Sequence, residues 1–486
     1  MKNSESGLNF DNSYFKLHNL MYSKIVPSNK YKSSIAVLNT KLAEELGISV
    51  EFLESEKGKL LLSGSTGSGY NDSFAQAYSG HQFGYLSSLG DGRALVLGEH
   101  VTKEGIRYDL QLKGSGVTPY SRRGDGKATL YSMLREHIIS EAMFALNIPT
   151  TRSLAVLKTN ELIMREKLSQ GSVLARVARS HIRVGTFTHA RANGLDVVSE
   201  LADYTINRHY SHLNNKPDKY VEFLIEVIKN QASLIAKWQS VGFIHGVMNT
   251  DNMLISGETI DYGPCAFMDV YDPNVVFSSI DVNKRYAYGN QPYIGSWNLA
   301  RFTESILHLL SENQEEAIKI ANDELSKYQD EYSKSWVKNM DLKIGILKPK
   351  ARDKELIQEL LDLMELHGED FTNTFRKLSL SKSSKIILNN SKGFTKWIVK
   401  WQRRLIEDNV SIEDATKIMK KHNPVIIPRN SIIEEALIKA SKEDDFSMFN
   451  ELLNSLYEPF NYGYNHKEKY INVKNNDEKY TTYCGT

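Results

Sequence analysis

"HGVMNTDNM", residues 245–253, followed nine residues beyond Asn252 by "DYGP", residues 261–264, is the stretch on which the fold reading turns. Either piece alone is an ordinary polar turn. Their setting is less ordinary. "KYVEFLIEVIKNQASLIAKWQSVGF", residues 219–243, carries apolar residues at helical spacing and runs straight into the first piece, so the polar loop is presented at the end of a long buried helix. Two hard-oxygen side chains, Asn252 and Asp261, then follow in order. Such oxygens suit a divalent cation that keeps further ligands from elsewhere.

Upstream the texture is strand-like. "ALVLGEHV" and "IRYDLQLKG" are β-prone runs separated by "TKEG", which predicts a hairpin, and "SLAVLKT" with "ELIMREKL" predicts another. Between them a helix is expected over 128–146, entered through "RRGDGK" and left at "NIPT", where Pro149 stops continuation. From about 195 the chain turns helical, with "WNLARFTESILHLLS" and amphipathic stretches between 314 and 456, among them "RNSIIEEALIKASKEDDFSMFNELLNSL" as helix-loop-helix packing. The expected class is α+β. A sheet-plus-one-helix half before a helix-rich half outlines a protein-kinase-like two-lobed fold with a helical C-terminal extension. The expected divisions are an N-terminal segment 1–75, a small lobe 76–195, a helical lobe 196–310 and the extension 311–486.

Against a kinase catalytic loop, His245 and Asn252 keep the spacing, but Val247 occupies the position of the base. Asn252 and Asp261 match the pair that holds the phosphate-bridging metal. Lys113, at the end of "YDLQLKGSG", is placed like the strand lysine that reaches nucleotide phosphates. On a helical wheel Glu136 shares a face with Met133, Ile139 and Met143, so it needs a cationic partner. Lys113 is the natural one, with Arg135 or Arg123 as the bland alternatives. "LGDGRALVLGE" sets Gly90 and Gly92 around a tight turn before Arg93, and Asp125–Gly126 forms a second turn. "ARVARSHIRVGTF" brings Arg176, Arg179 and Arg183 together, suited to phosphate or to a structural ion-pair network.

Bulk composition narrows the field. Sixty basic residues balance 59 acidic ones with 41% hydrophobic content, which gives no electrostatic reason for a nucleic-acid partner. No apolar run is long enough for a bilayer and the N-terminus has no signal-like core, so a cytoplasmic protein without a membrane partner is expected. Cys265 and Cys484 are the only cysteines, too few for a disulfide framework or a structural zinc site.

"QLKGSGVTPYSRRGDGKATLYSMLREHIISEAM", "HGVMNTDNM", "DYGP", "YAYGNQP", "WNLARF" and "YCGT" together resemble the selenoprotein O family of protein adenylyltransferases, from about residue 10 to the C-terminus. The resemblance implies a pseudokinase fold that binds ATP flipped, so that AMP passes to a protein hydroxyl (Ser, Thr or Tyr) and pyrophosphate leaves, with UMP transfer as a related activity. It implies Asp251 as general base and Asn252 with Asp261 as ligands of Mg²⁺ or Mn²⁺. It implies Gly90, Gly92, Arg93, Lys113, Asp125, Gly126, Arg176, Arg183 and Asp261 as nucleotide contacts, Glu136 supporting Lys113. The expected state is a monomer acting on protein substrates. Cys484 matches the family's C-terminal Cys or selenocysteine, and Cys265 is the candidate for pairing with it. A metal-dependent small-molecule kinase and a non-catalytic ATP-binding scaffold stay open as alternatives.

Overall fold

A computed structural model describes residues 5–27, 29–67, 70–382, 388–389, 391–472 and 480–482. Its strands are β1 (Tyr22–Ile25), β2 (Ser34–Leu38), β3 (Ser73–Gln76), β4 (Ser79–Gln82), β5 (Tyr85–Ser88), β6 (Ala94–Val101), β7 (Arg107–Lys113), β8 (Ala128–Thr129), β9 (Arg152–Met164), β10 (Leu168–Ala178), β11 (Phe243–Ile244) and β12 (Ala266–Phe267). The main sheet has the order β1-β3-β6-β7-β10-β9-β2, with β8 attached to β10, and its pairings are antiparallel. The class is thus mixed α and β with an antiparallel sheet. The β6–β7 hairpin matches expectation, with Ala94 opposite Lys113.

The second expected hairpin is corrected. "SLAVLKT" and "ELIM" form one continuous strand, β9, and the turn falls on Arg165–Lys167, so that β9 pairs with β10. Thr159-Asn160 reads locally as a turn; strand neighbours on both sides, β2 and β10, override that preference.

Alternation along β7 decides where the chemistry sits. Leu110 and Leu112 face a core shared with Leu95, Leu97, Val173, Ala175 and the N-terminal residues Leu42, Leu46, Leu53 and Leu62. Asp109, Gln111 and Lys113 therefore point to the opposite face. Arg176 on β10 lies directly across from Gln111, so it shares that polar face.

The helix Leu130–Ala145 packs its buried side against this face of the sheet and against Leu234, Ile235 and Trp238 of the helix Lys219–Ser240. Thr129 caps it, its Oγ1 accepting from the Ser132 N–H at 3.2 Å. The helices Asn430–Lys442 and Ser447–Leu456 pack into the same core, which gives the expected helix-loop-helix a place behind that helix. A further core gathers Trp397, Trp401, Phe371 and Leu360 from the helices after 340. No helix among the described residues is long and apolar enough to cross a membrane.

Candidate active site

The helix Lys219–Ser240 buries Phe223, Val227, Leu234 and Trp238 along one side and ends at Gly242, whose φ of 71° turns the chain into β11. Phe243 of β11 pairs with Phe267 of β12. This two-residue ribbon closes residues 245–265 into one loop, so Asp251, Asn252 and Asp261 must lie near one another. The loop is braced internally: the His245 imidazole contacts the Ile260 carbonyl at 2.9 Å through Nε2, and the Asn252 amide donates to the Val247 carbonyl at 3.0 Å. It is braced externally where Val184 N–H donates to Met253 O at 2.8 Å and Ile255 N–H to Ile182 O at 2.9 Å, which brings Arg183 beside the loop. His245 is accordingly a buried strut, and Val247 is a wall of the cavity.

That cavity, about 240 Å³, is where the sheet's polar face meets the loop. Asp261 is its electrostatic centre. Its Oδ1 accepts from Lys113 Nζ at 2.5 Å and from Arg176 Nη1 at 2.8 Å. Burial alone would raise its carboxyl, but Lys113, Arg176 and Arg183 outweigh burial and hold it well below the usual range. Its backbone is left-handed, φ 63°, a conformation that a non-glycine residue adopts at some cost. Lys113 also bonds Glu136, and Arg176 Nη1 lies 3.6 Å from the same carboxylate. The Lys113–Glu136 pairing expected from the helical wheel is therefore present. Arg135 instead donates to the carbonyls of Gly263 and Cys265, at 3.0 and 2.6 Å.

Asp251 is shifted in the opposite direction. It is 8% exposed, its Oδ1 is buried without a hydrogen-bond partner, and burial pushes its pKa up to about 6 against the pull of Arg183. A carboxyl so placed is suited to take up a proton near neutral pH. Gly80 of β4 lies directly against it: a Cβ there would overlap the Asp251 carboxylate. We expect Gly80→Ala to displace that carboxylate and lower kcat by about 10²-fold with ATP affinity little changed. Steady-state rates beside calorimetric ATP binding check this; an unaltered kcat would mean that Asp251 tolerates displacement.

Of the nucleotide contacts implied by the resemblance, Gly92, Arg93, Lys113, Arg176, Arg183 and Asp261 line the cavity, with Asp251, Asn252 and Glu136. Gly90 does not line it; it shapes the adjoining turn at φ 133°, where a Cβ would overlap the Tyr120 ring. Asp125 and Gly126 lie outside the lining as well. Asp125 is held by a two-pronged contact from Arg165, 2.8 Å to each oxygen, on a loop tied to the β9–β10 turn. Arg179 does not line the cavity either: its guanidinium lies 5.6 Å from the Tyr108 ring, and its backbone N–H donates to Glu258 at 3.1 Å. Cys265 is buried, burial pushing its thiol up to about 12; Cys484, its candidate partner, lies outside the described residues.

Several site residues escaped sequence reasoning. Gln111 accepts from Arg176 Nη2 at 2.6 Å and donates to Asp91 at 3.3 Å. Asp91 also faces Arg183 at 3.5 Å, and the Arg183 guanidinium lies over the Tyr78 ring at 4.3 Å. The signals are present in the sequence: period-two alternation puts Gln111 on the Lys113 face, and Asp91 is the residue inside the glycine turn.

Among the described residues no group of three or more His, Cys, Asp or Glu is arranged to hold a metal by itself. The donors at hand are one carboxylate, kept ionised by cations, and the oxygen of an amide whose nitrogen is already anchored. That set fits a hard cation completed by phosphate oxygens and water, and does not fit a protein-only cage.

Comparison with known proteins agrees across the chain. A family model described as protein adenylyltransferase SelO matches residues 5–457. A relative from Clostridium botulinum (strain Alaska E43 / Type E3), named protein nucleotidyltransferase YdiU, is 52% identical over 491 residues and covers all of both chains. Relatives of that name from Geobacillus kaustophilus, 52% identical with 99% of this chain and all of the relative covered, and from Bacillus cereus (strain B4264), 51% identical with all of both covered, are similar over the same extent.

Proposed function

From the premise that this chain belongs to the SelO family of protein adenylyltransferases, we propose that the 240 Å³ cavity binds ATP and directs its α-phosphate toward a protein hydroxyl. The chain is an enzyme of the protein nucleotidyltransferase type. The observation that carries the finer reading is the division of labour between two carboxylates: Asp261, held ionised among three cations, and Asp251, buried at the cavity wall with its pKa lifted to about 6.

In this reading the acceptor oxygen of a Ser, Thr or Tyr attacks the α-phosphorus while its proton passes to Asp251 Oδ1. The bond from the α-phosphorus to the bridging oxygen breaks, and pyrophosphate departs with the electron pair. Lys113, Arg176 and Arg183 neutralise the leaving charge; their placement by Glu136, Gln111 and Asp91 is made before substrate arrives, which is the main source of catalysis for such transfers. Asn252 and Asp261 would hold Mg²⁺ or Mn²⁺, which supplies further neutralisation of the phosphates. A strand lysine paired to a helix glutamate, with a metal-type carboxylate on a downstream loop, also supports the kinase-like reading of the two halves. Val247 then needs no special account, because the base has moved four residues along the loop to suit a different phosphorus.

Incubating the protein and bystander proteins with ATP labelled at the α- or the γ-phosphate tests this. Label retained from the α position alone is expected. Retention from γ alone would mean a kinase, and retention from neither a scaffold; α-labelled UTP in parallel reports UMP transfer.

A further inference from the structure

The hairpin that covers Asp251 also builds one wall of a second hollow, about 730 Å³, on the outer side of the catalytic loop. The two spaces share a partition. His81 N–H donates to Thr250 Oγ1 at 2.7 Å, and Asn249 Oδ1 accepts both from Phe83 N–H at 3.1 Å and from the Tyr286 hydroxyl at 2.6 Å. Asn249 lines the catalytic cavity, while Phe83 lines the outer groove. The far wall is formed by Ile280, Val282 and the start of the helix Gln291–Leu310, with Tyr293 and Ile294.

The groove is open and mixed in character, Asn283, Arg285 and Asn290 lining it beside large apolar side chains. Tyr85 is 81% exposed, Val282 86% and Tyr293 68%, a concentration of large apolar side chains that a water-facing surface seldom leaves without a use. Its one carboxylate is occupied: Asp281 accepts from the N–H groups of Arg285 and Tyr286, at 2.8 Å each, and so braces the wall. The Arg285 guanidinium is stacked 4.9 Å from the Trp297 ring. Among the described residues β5 pairs with β4 alone, and its Ser88 carbonyl accepts from the Arg122 guanidinium, so the edge that can receive an extended chain is the end nearer Tyr85.

We propose that this groove docks the extended acceptor segment of the protein substrate and selects an aromatic or branched aliphatic side chain a fixed few residues from the modified hydroxyl. The inference rests on the adenylyl-transfer reading. An acceptor hydroxyl at Asp251 belongs to a polypeptide that must leave over the rim, and on the hairpin side the groove adjoins the cavity through Asn249, which lines the cavity and accepts from the N–H of Phe83 in the groove wall. A peptide in the groove places apolar surface on Tyr85 and Tyr293 while its hydroxyl reaches the neighbouring cavity.

The test uses the full chain, α-labelled ATP with Mg²⁺ or Mn²⁺, and a peptide library with one central Ser, Thr or Tyr and randomised flanks. Labelled peptides are expected to be enriched in Phe, Tyr, Leu, Ile or Val at one offset. Tyr293→Ala and Tyr85→Ala are each expected to lower kcat/KM for a selected peptide about tenfold, through KM, with ATP affinity and thermal stability unchanged. Label without a positional apolar preference, or variants with unaltered KM, would overturn the docking site and leave adenylyl transfer standing. Variants that lose self-association, seen by light scattering, without loss of peptide preference would assign the face to a second copy and overturn it likewise. Absence of α-label from every peptide and protein would overturn both readings.

Discussion

Asp261→Asn is expected to reduce α-label transfer by about 10³-fold or more and to remove the metal-dependent part of ATP binding. Asparagine is the informative replacement because the position is left-handed, φ 63°, which Asn tolerates better than Ala. The substitution therefore removes charge with little disturbance of the backbone. The remaining charges must then redistribute: Lys113 and Arg176 lose the ionised partner that both contact at Oδ1 and keep only Glu136 between them. Two buried cations on one carboxylate repel each other, and each relaxes toward solvent or toward phosphate. Nucleotide affinity without metal is then expected to be kept or to rise, whereas the gain on adding Mg²⁺ or Mn²⁺ is lost. Calorimetric titration of ATP with and without metal, beside initial rates of α-label transfer, separates these effects. A variant within tenfold of the parent in rate would remove Asp261 from the chemistry.

The legible part of this site is the part written in local periodicity. Lys113 and Glu136 can be paired on paper because β7 alternates and the helix Leu130–Ala145 has a 3.6-residue repeat, so each side chain's face follows from its position. The loop 245–265 is legible for a different reason: a buried helix delivers it and a polar pattern fills it. Pairing at long range could not be read. Tyr22–Ile25 binds Ser73–Gln76, and Ser34–Leu38 binds β9 more than a hundred residues away, so the first forty residues supply both edges of the sheet. No local window carries that information. The same limit hid the β4–β5 hairpin, whose contacts with Asn249 and Thr250 span some 170 positions. Asp125 and Gly126, read as a second glycine turn and assigned to the nucleotide by likeness of motif, lie outside the cavity lining; an Arg165 clamp accounts for Asp125.

Asp251→Asn is the complementary case, expected to leave ATP and metal binding within about threefold and to slow transfer by about 10²–10⁴-fold, the usual contribution of a general base. The same carboxyl makes a stability prediction that does not depend on activity. Its folded pKa is raised to about 6 from an ordinary 3.8, so the folded state favours the neutral acid. That advantage over the unfolded chain is full below about pH 4 and is lost as pH rises from there through about 6, above which ionising a buried, unpartnered oxygen opposes folding by on the order of 1–3 kcal/mol. Asparagine cannot ionise. Compared with the parent in the presence of a chelator, Asp251→Asn should therefore be more stable at pH 8 and show a smaller difference at pH 5, read from thermal unfolding. The free enzyme's kcat/KM should rise with pH through about 6 in the parent, and that limb should be missing in the variant's residual rate. A loss of rate with no pH-dependent change in stability would make Asp251 a spacer, its removal harmful through shape; a gain in stability at pH 8 with full turnover would leave the buried carboxylate real and the proton acceptor elsewhere. Only the joint result, slower and more stable at pH 8, fits a group whose cost to the fold is the condition of its use as a base.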